Sequence, residues 1–236
     1  MHFDERAAAM YDENSSAMFD PAVLGPTVDL LADLAEGGPA LEFAVGTGRV
    51  ALPLAARGLD VAGVDESEAM LARLRVKPGA GAVRTAVGDF TSFRMDGEFR
   101  LVYLVFNTIM NVTTQEEQVA TFRNAAAHLA PGGHFVVEVG VPALQRLPPG
   151  ETVRAFALTP EHLGFDEYDV VSQRMWSHHY RRGERFSVPF RYVWPAELDL
   201  MAQLTGLRRR HRWADWTRAP FTAESTAHVS VWAKPV

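Results

Sequence analysis

Two glycines, Gly46 and Gly48, stand between an apolar segment and a helical one, where many folds bind a nucleotide. Glycine is required where the backbone approaches a ligand closely or takes a positive φ angle. In an open parallel sheet, the first turn of this kind lies at the carboxyl ends of the strands, where ligands bind. Residues 46–51 also match the G-x-G-x-x-A pattern of dinucleotide-binding turns, and Asp65 follows at the spacing of a ribose-binding acid. One hypothesis is therefore an NADP-dependent oxidoreductase.

Acidic and aromatic side chains stand inside or just after the neighbouring predicted strands. Glu42 lies within the first strand, where a dinucleotide-binding fold would keep an apolar residue. Asp65 ends the second strand and is placed to accept hydrogen bonds from a ribose diol. Asp89 and Phe90 end the third strand, and this pair suits hydrogen bonding to an adenine and stacking on it. These residues favour a cofactor that contains adenosine but is not a dinucleotide.

The elements that must position these residues alternate along the first 140 residues. Short apolar runs typical of strands occupy residues 40–44, 61–65, 81–87, 101–106 and 134–139. Helical spacing of apolar residues occupies 49–57, 67–76 and 114–129, with Ser67 and Thr114 as N-caps. Strands that alternate with helices predict βαβ units and a parallel sheet covered on both faces. Two further strands, at 207–213 and 228–233, are expected to pair antiparallel.

The pattern changes after Gly140. Prolines recur between residues 141 and 160, which takes this stretch out of the layered region. Residues 169–180 and 185–194 are then predicted to be extended on either side of a turn at 181–184, which indicates an antiparallel hairpin. We interpret residues 141–194 as an insertion that lies over one end of the sheet of a single α/β domain.

In their order along the chain, these residues resemble the class I S-adenosylmethionine-dependent methyltransferases, over about residues 38–140 and the terminal strands. The resemblance implies an α/β fold with a Rossmann-like, seven-stranded, mostly parallel sheet, helices on both faces and an antiparallel strand insertion after the fifth strand. It also implies N-terminal cap helices at 1–37 and a methyltransferase domain at 38–236, in which the insertion at about 141–194 covers the substrate.

The resemblance implies S-adenosylmethionine as the cofactor. In the family the glycine turn passes under the methionine part, the acid after the second strand holds the ribose, and the acid after the third meets the adenine. A Tyr-Asp pair like Tyr11-Asp12 precedes the fold in small-molecule N-methyltransferases, where the aromatic ring closes over the cofactor. The family pattern has glycine where this chain has Ala44. The implied cofactor-binding residues are Tyr11, Glu42, Ala44, Gly46, Gly48, Arg49, Asp65, Glu66, Met70, Asp89, Phe90, Phe106 and Asn107.

Methyl transfer from a sulfonium is an in-line displacement, so the protein mainly aligns the acceptor, and a weakly acidic acceptor also needs a general base. His178 and His179 alternate between the two faces of a predicted strand of the insertion, so one of them is a candidate base. The alternative is that both are ordinary residues of a half-exposed hairpin. Asn111, after the fourth strand, is a further candidate. No metal site is predicted, because the acidic residues at 161–169 lack a ligand spacing and favour a solvated loop.

Composition limits the acceptor and the surroundings. The 236 residues are 47% apolar and 22% charged, as in a globular protein, and include no cysteine. The net charge of −6 argues against a nucleic-acid partner, and no N-P-P-Y/F motif follows the fourth strand. We predict a small-molecule acceptor, with an amine favoured over a hydroxyl. We expect no membrane partner, a cytoplasmic location and a monomer or homodimer. A non-catalytic S-adenosylmethionine-binding protein is the remaining alternative.

Overall fold

The computed structural model describes residues 5–181 and 183–236. The helices are α1 Glu5–Asn14, α2 Pro21–Ala35, α3 Ala51–Ala56, α4 Glu68–Arg75, α5 Gln115–His128 and α6 Pro195–Leu204. The strands are β1 Ala40–Phe43, β2 Val61–Asp65, β3 Val83–Val87, β4 Phe99–Leu104, β5 Leu129–Gly140, β6 Val153–Leu158, β7 His162–Asp169, β8 Arg174–Arg181, β9 Glu184–Arg191, β10 Arg208–Trp213 and β11 Ala227–Ala233. Within these residues, no helix has the length and apolarity needed to cross a membrane.

Seven of the described strands form one sheet in the order β10-β11-β5-β4-β1-β2-β3. The neighbours among β1 to β5 are parallel, whereas β11 is antiparallel to both β5 and β10. The predicted Rossmann-like sheet, with its terminal antiparallel pair, is confirmed. In this order the carboxyl ends of β1, β2 and β4 meet at one edge of the sheet, which therefore collects the turns that follow them.

Helices cover both faces of the sheet because alternate residues of each central strand point to opposite sides. Leu41 and Phe43 of β1 pack in the cluster that includes side chains of α5 and α6. Ala40 packs on the other side, with side chains of α2, α3 and α4. Residues 101–104 of β4 are fully buried, as expected of a central strand. The sheet is thus a rigid platform for the loops at its edge.

Local hydrogen bonds set the ends of the helices. Ser67 Oγ accepts from Met70 N at 3.2 Å, and Thr114 Oγ1 accepts from Glu117 N at 3.2 Å, so both predicted N-caps are confirmed. Several predicted boundaries are wrong, and two of them are explained by the turn and by strand pairing. The first helix after the glycine turn begins at Ala51 rather than 49, because the preceding residues stay in the turn. The fifth strand begins at Leu129 rather than 134, because Leu129 already pairs with β4.

Four described strands of the insertion form a second, antiparallel sheet in the order β6-β7-β8-β9. The predicted hairpin corresponds to β8 and β9, but the other two strands of this sheet, β6 and β7, were not predicted. Residues 161–169 are not a solvated loop, because residues 162–169 form β7. One face of this sheet lines a cavity instead of the core. β7 therefore has polar residues at positions where a core strand would have apolar ones. For this reason its sequence does not predict a strand.

Candidate active site

The glycine turn between β1 and α3 takes left-handed backbone angles. Gly46 and Gly48 have φ angles of 55° and 82°, and Ala44 has a φ angle of 54°. A Cβ atom on Gly48 would lie 2.9 Å from Cγ of Leu74, so packing as well as φ requires glycine there. At Ala44 the left-handed angle costs roughly 1–2 kcal/mol for a residue with a Cβ atom. The turn is therefore a strained segment that its neighbours must hold in place.

The carboxylate of Asp65, at the end of β2, holds this turn. Its Oδ2 accepts a hydrogen bond from Gly46 N at 2.8 Å, and its Oδ1 accepts one from Ser67 N at 2.8 Å. Burial raises the pKa of Asp65, and the two amide hydrogen bonds oppose this rise. A carboxylate offers about four lone pairs, so each oxygen retains the capacity to accept from a ligand. Asp65 thereby joins the turn to α4 and also faces the space beside it.

A cavity of about 230 Å³, the cofactor cavity, lies beside Asp65. Glu66, Asp89 and Glu117 also line it, so four carboxylates face this space. Asp89 Oδ1 accepts from Thr91 N at 2.8 Å and Asp89 Oδ2 accepts from Thr91 Oγ1 at 2.7 Å, which fixes the orientation of the group. Such a wall favours a ligand that carries hydroxyl and amino donors.

The remaining walls supply an aromatic face and an open acceptor. Phe90 lines the cavity and stacks on Phe43, with ring centroids 5.7 Å apart. Asn111 lines it too, and its Oδ1 is buried without a hydrogen-bond partner among the described residues. A buried acceptor without a partner costs free energy unless a ligand fills the position. The hydroxyl and amino donors and the flat base of an adenosine fit this combination, so the residues present suit S-adenosylmethionine.

A second group of predicted residues surrounds Glu42, which is 2% exposed. Tyr103 Oη donates to Glu42 Oε2 at 2.9 Å. Burial raises the pKa of Glu42 to about 8, although the hydrogen bond from Tyr103 and the charge of Arg49 lower it. Arg49 also lies over the ring of Phe106, 5.4 Å from its centroid. The carboxyl group of Glu42 is therefore buried close to Tyr103 and Arg49, next to the glycine turn.

The N-terminal helix α1 reaches the same turn. Burial raises the pKa of Tyr11, and among the nearby charges Arg49 lowers it while Glu42 raises it, so the hydroxyl lies close to both. Thr47 Oγ1 donates to Asp12 Oδ1 at 2.6 Å, and Lys77 Nζ lies 2.5 Å from Asp12 Oδ2. Asp12 is thus the contact that holds α1 against the glycine turn.

Met70, like Glu42 and Arg49, lies near the glycine turn but outside the lining of the cofactor cavity. It is 2% exposed, and its Cε lies 3.5 Å from where a Cβ atom of Gly46 would be. Met70 therefore packs beneath the glycine turn in this structure, and its contact with an adenine stays a prediction.

The segment after β4 separates the cofactor cavity from a second one. Phe106 and Asn107 have φ angles of 58° and 60°, and Asn107 Oδ1 accepts from Gly140 N at 2.6 Å. Phe106 N donates to Glu138 Oε2 at 2.8 Å, and Trp216 Nε1 donates to Glu138 Oε1 at 2.9 Å. Two consecutive left-handed residues without glycine mark a strained segment, which these side chains hold.

The second cavity, the insertion cavity, has a volume of about 600 Å³ and lies between this segment and the four-stranded sheet. Its walls are mostly aromatic and apolar, with a few polar groups from β6, β7 and β8. The aromatic residues are Phe106, Phe156, Tyr168, Phe190 and Tyr192. The polar side chains from the sheet are Arg154, Asp166, Ser177 and His179. A largely apolar cavity with a few convergent polar groups is typical of a small-molecule site.

The candidate bases fall in three different places. His179 lines the insertion cavity, and burial lowers its pKa. His178 lies on the opposite face of the sheet, where its Nδ1 is 2.7 Å from Ser187 Oγ and its Nε2 is 3.2 Å from Glu167 Oε2. Asn111 faces the cofactor cavity. No described group of three His, Asp or Glu residues is arranged to hold a metal ion.

Sequence reasoning missed several residues that line or support these cavities. Glu138, which holds the segment between them, had a visible signal, because it is an acid inside the apolar run of β5. Arg154 and Asp166 were missed because β6 and β7, the strands that carry them, were not predicted.

Comparisons with known proteins agree on one activity. A family model described as "Methyltransferase domain" matches residues 40–133. The chain is 31% identical over 94% of its length to the cypemycin N-terminal methyltransferase of Streptomyces sp, and covers 94% of that protein. It is 31% identical over 55% of its length to the dTDP-3-amino-3,4,6-trideoxy-alpha-D-glucopyranose N,N-dimethyltransferase of Streptomyces venezuelae, and covers 58% of that protein.

Solved structures extend the similarity to the insertion. The CcbJ methyltransferase from Streptomyces caelestis superimposes with a TM-score of 0.80 and 37% sequence identity, over 89% of each chain. An S-adenosylmethionine-dependent methyltransferase from Clostridium acetobutylicum superimposes with a TM-score of 0.76 over 98% of each chain. At 16% identity, the second structure shows a shared fold alone.

Proposed function

Because the chain belongs to the S-adenosylmethionine-dependent methyltransferases, we propose that it methylates the nitrogen of a small-molecule amine held in the insertion cavity. Membership of this family decides against the NADP-dependent oxidoreductase that the glycine pattern left open. When bound, S-adenosylmethionine supplies an activated methyl group on a sulfonium. The chain's own task is to hold the acceptor in line with that group and to keep water out.

One observation carries the proposal: a single short segment forms a wall of both cavities. Thr108 and Asn111 face the cofactor cavity. Phe106, Asn107 and Met110 face the insertion cavity. Ligands in the two cavities would therefore lie on either side of one short segment, which brings them close enough for the direct transfer that we propose.

The names of the two curated relatives support nitrogen as the acceptor atom. One describes N-terminal methylation for cypemycin, and the other describes N,N-dimethylation of a dTDP-linked amino sugar. The aromatic walls of the insertion cavity also favour a cationic group, because the face of an aromatic ring attracts a cation. Of the two candidate histidines His179 is the one that lines this cavity, but its ring nitrogens lie 3.2 Å from Ser177 Oγ and 3.0 Å from His162 Nε2, so we do not assign it as the base.

The experiment that tests the function has two steps. S-adenosylhomocysteine binding is measured first by calorimetry, and we expect micromolar affinity for the folded protein. Transfer of a tritiated methyl group is then measured with amines and with alcohols of the same carbon skeleton. We expect label in amines only. Transfer to no member of either series would support the non-catalytic alternative, and transfer to the alcohols would contradict nitrogen as the acceptor.

A further inference from the structure

The inner wall of the insertion cavity carries two opposite charges side by side. Arg154 of β6 and Asp166 of β7 are paired residues of neighbouring antiparallel strands, and both line the cavity. The Cβ atoms of such a pair are about 5 Å apart and point to the same face of the sheet. A guanidinium and a carboxylate therefore present themselves together to anything bound there.

A hydrogen-bond chain fixes the carboxylate of this pair. Ser177 of β8 lies opposite Asp166 of β7 and donates a hydrogen bond to its carboxylate. Ser177 Oγ is also 3.2 Å from His179 Nε2, and His179 Nδ1 is 3.0 Å from His162 Nε2. A hydroxyl has one hydrogen, and Ser177 donates it to Asp166. Ser177 Oγ therefore accepts a hydrogen bond from His179 Nε2, and His179 Nδ1 accepts one from His162 Nε2. Both ring nitrogens of His179 are thereby engaged, and Asp166 is the end of the chain that is left to accept from a ligand.

The guanidinium of the pair has no such support. The side chain of Arg154 is half-buried and forms no hydrogen bond or ion pair within the part of the chain that the structure describes. It nevertheless lies close enough to Asp166 and Tyr168 for its charge to lower the pKa of both, against the larger effect of burial, which raises them. A partly buried charge without a hydrogen-bonded partner costs free energy, so a ligand that supplies an oxygen acceptor would be bound favourably.

A ligand with one charge satisfies only half of this wall. A simple ammonium would pair with Asp166 but would lie beside the like charge of Arg154. A simple carboxylate would pair with Arg154 but would lie beside the like charge of Asp166. A group with a cationic nitrogen and an oxygen acceptor a few bonds apart satisfies both side chains at once, and the wall disfavours molecules that lack either part.

We infer that the acceptor carries an α-aminoacyl group, with Asp166 binding the ammonium and Arg154 binding the neighbouring carbonyl or carboxylate oxygen. The nitrogen must lose one proton before it can attack the methyl group, and the carboxylate of Asp166 is placed to take that proton. The inference rests on the proposed function, because it names the acceptor of the same site. The aromatic walls at Phe156, Phe190 and Tyr192 then contact the rest of the acceptor. Asp166 and Arg154 are thus specificity-determining residues.

The test measures binding of three probes by calorimetry to the protein saturated with S-adenosylhomocysteine. L-Phenylalaninamide has both groups, phenethylamine lacks the carbonyl, and 3-phenylpropanamide lacks the amine. We expect L-phenylalaninamide to bind about tenfold or more tightly than either fragment, the scale of one charge-assisted hydrogen bond. L-Phenylalanine in the same assay tells whether a free carboxylate or an acyl carbonyl is preferred, and a preference for either over phenethylamine supports the inference.

Two variants assign the two halves of the group. Asp166→Asn should remove the preference for L-phenylalaninamide over 3-phenylpropanamide, and Arg154→Met should remove the preference over phenethylamine. Ser177→Ala should weaken amine binding to a smaller extent. Glu167→Gln and Arg174→Gln make the same charge changes on residues that do not line the cavity, and should leave all three affinities unchanged.

The outcomes separate this inference from the proposed function. S-adenosylhomocysteine binding, measured for every variant, reports whether each one is folded. A protein that binds S-adenosylhomocysteine but binds no probe, or binds all three equally, would overturn the α-aminoacyl assignment and leave the proposed function standing. Failure of the wild-type protein to bind S-adenosylhomocysteine would instead overturn the proposed function.

Discussion

Asp65 combines two tasks that are often given to different residues. Its two oxygens hold the amides of Gly46 and Ser67, each at 2.8 Å, and it lines the cofactor cavity at the same time. The strained turn and the ligand surface therefore depend on one carboxylate. Because the hydrogen bonds are made before any ligand arrives, the remaining lone pairs point in fixed directions, which reduces the cost of ordering on binding.

We predict that Asp65→Ala weakens S-adenosylhomocysteine binding by about 1.5–3 kcal/mol, the scale for losing hydrogen bonds to a charged group. Calorimetry measures the change. Asp60→Ala is the matched control, because Asp60 lies just before the other end of β2 in an exposed pair with Arg84. Wild-type affinity in Asp65→Ala would mean that the ribose does not lie at this carboxylate.

At the scale of single elements, polar contacts of Asp12 join α1 to the glycine turn. Asp12 accepts from Thr47 Oγ1 at 2.6 Å and pairs with Lys77, whose Nζ donates to Thr47 O at 2.9 Å. These contacts join α1 to the turn and to the end of α4. Half-exposed polar contacts of this kind open more easily than packing in the core.

We predict that Asp12→Asn increases the dissociation rate of S-adenosylhomocysteine roughly three- to tenfold, because it weakens one hydrogen bond and one half-exposed ion pair. Stopped-flow displacement measures the rate. Asp29 of α2 forms an exposed ion pair with Arg57, and Asp29→Asn, which removes one charge of that pair, serves as the control. Equal dissociation rates in the two variants would show that α1 does not close over the cofactor.

Strand β11 contains a buried histidine whose ionisation links this element to pH. His228 is 0% exposed, and its Nε2 is buried without a hydrogen-bond partner among the described residues. Its Nδ1 lies 2.8 Å from Ser230 Oγ, which accepts from Arg212 Nε at 2.8 Å. Burial, and then the charge of Arg212, lower the pKa of His228 to about 3. The folded protein thus keeps this ring neutral where an unfolded chain would protonate it.

We predict that His228 makes the protein less stable as the pH falls from about 6.5, the ordinary pKa of histidine. Below that pH the unfolded chain takes up a proton and the folded one does not, so the free energy of unfolding falls by up to about 1.4 kcal/mol per pH unit. His228→Asn, which does not titrate, should show a smaller fall in urea unfolding between about pH 4 and pH 7.

The control for this prediction is His211→Asn, on the neighbouring strand β10, where the side chain is exposed. It should keep the wild-type dependence on pH. An unchanged slope in His228→Asn would mean that other groups produce the acid sensitivity.

At the scale of the whole molecule, one buried polar junction ties the insertion to the main sheet. Arg191, 5% exposed at the end of β9, pairs with Glu197 of α6 at 2.7 Å and donates to Gln118 of α5. Gln118 Nε2 donates in turn to the carbonyls of Ile109 and Val112, each at 3.1 Å. The junction therefore connects the sheet that lines the insertion cavity to the segment that faces both cavities.

We predict that Glu197→Ala destabilises the protein by about 3–5 kcal/mol, because Arg191 would be left buried without its counter-ion. Glu68→Ala is the control: it also lies in the first turn of a helix, but its pair with Arg75 is exposed and contributes about 1 kcal/mol or less. Urea unfolding measures both. Similar losses in the two variants would contradict a structural role for the junction.

The sequence predicted the parts of the molecule whose signals are local. The strands around Glu42 and Asp65 were predicted because apolar periodicity reports burial directly, and the caps Ser67 and Thr114 were predicted because capping depends on adjacent residues. β7 was missed because polar residues interrupt its apolar ones, and β6 was missed, although it is mostly apolar, because the prolines around it favoured an irregular stretch. The start of β5 at Leu129 was missed because pairing with β4 is a long-range contact.

Within the candidate site, the sequence by itself predicted the glycine turn and the acidic residues proposed to bind the cofactor. The turn, its acids and their order along the chain are fixed by backbone angles and by strand ends, and these need no knowledge of distant residues. Only the tertiary structure brings residues of the insertion together around one cavity, which is the proposed acceptor side, although the sequence had already singled out His179. Arg154, Asp166 and His179 come from three strands of a separate sheet, and their shared face depends on the register of pairing. Register is set by contacts between segments distant along the chain, and no local pattern encodes it.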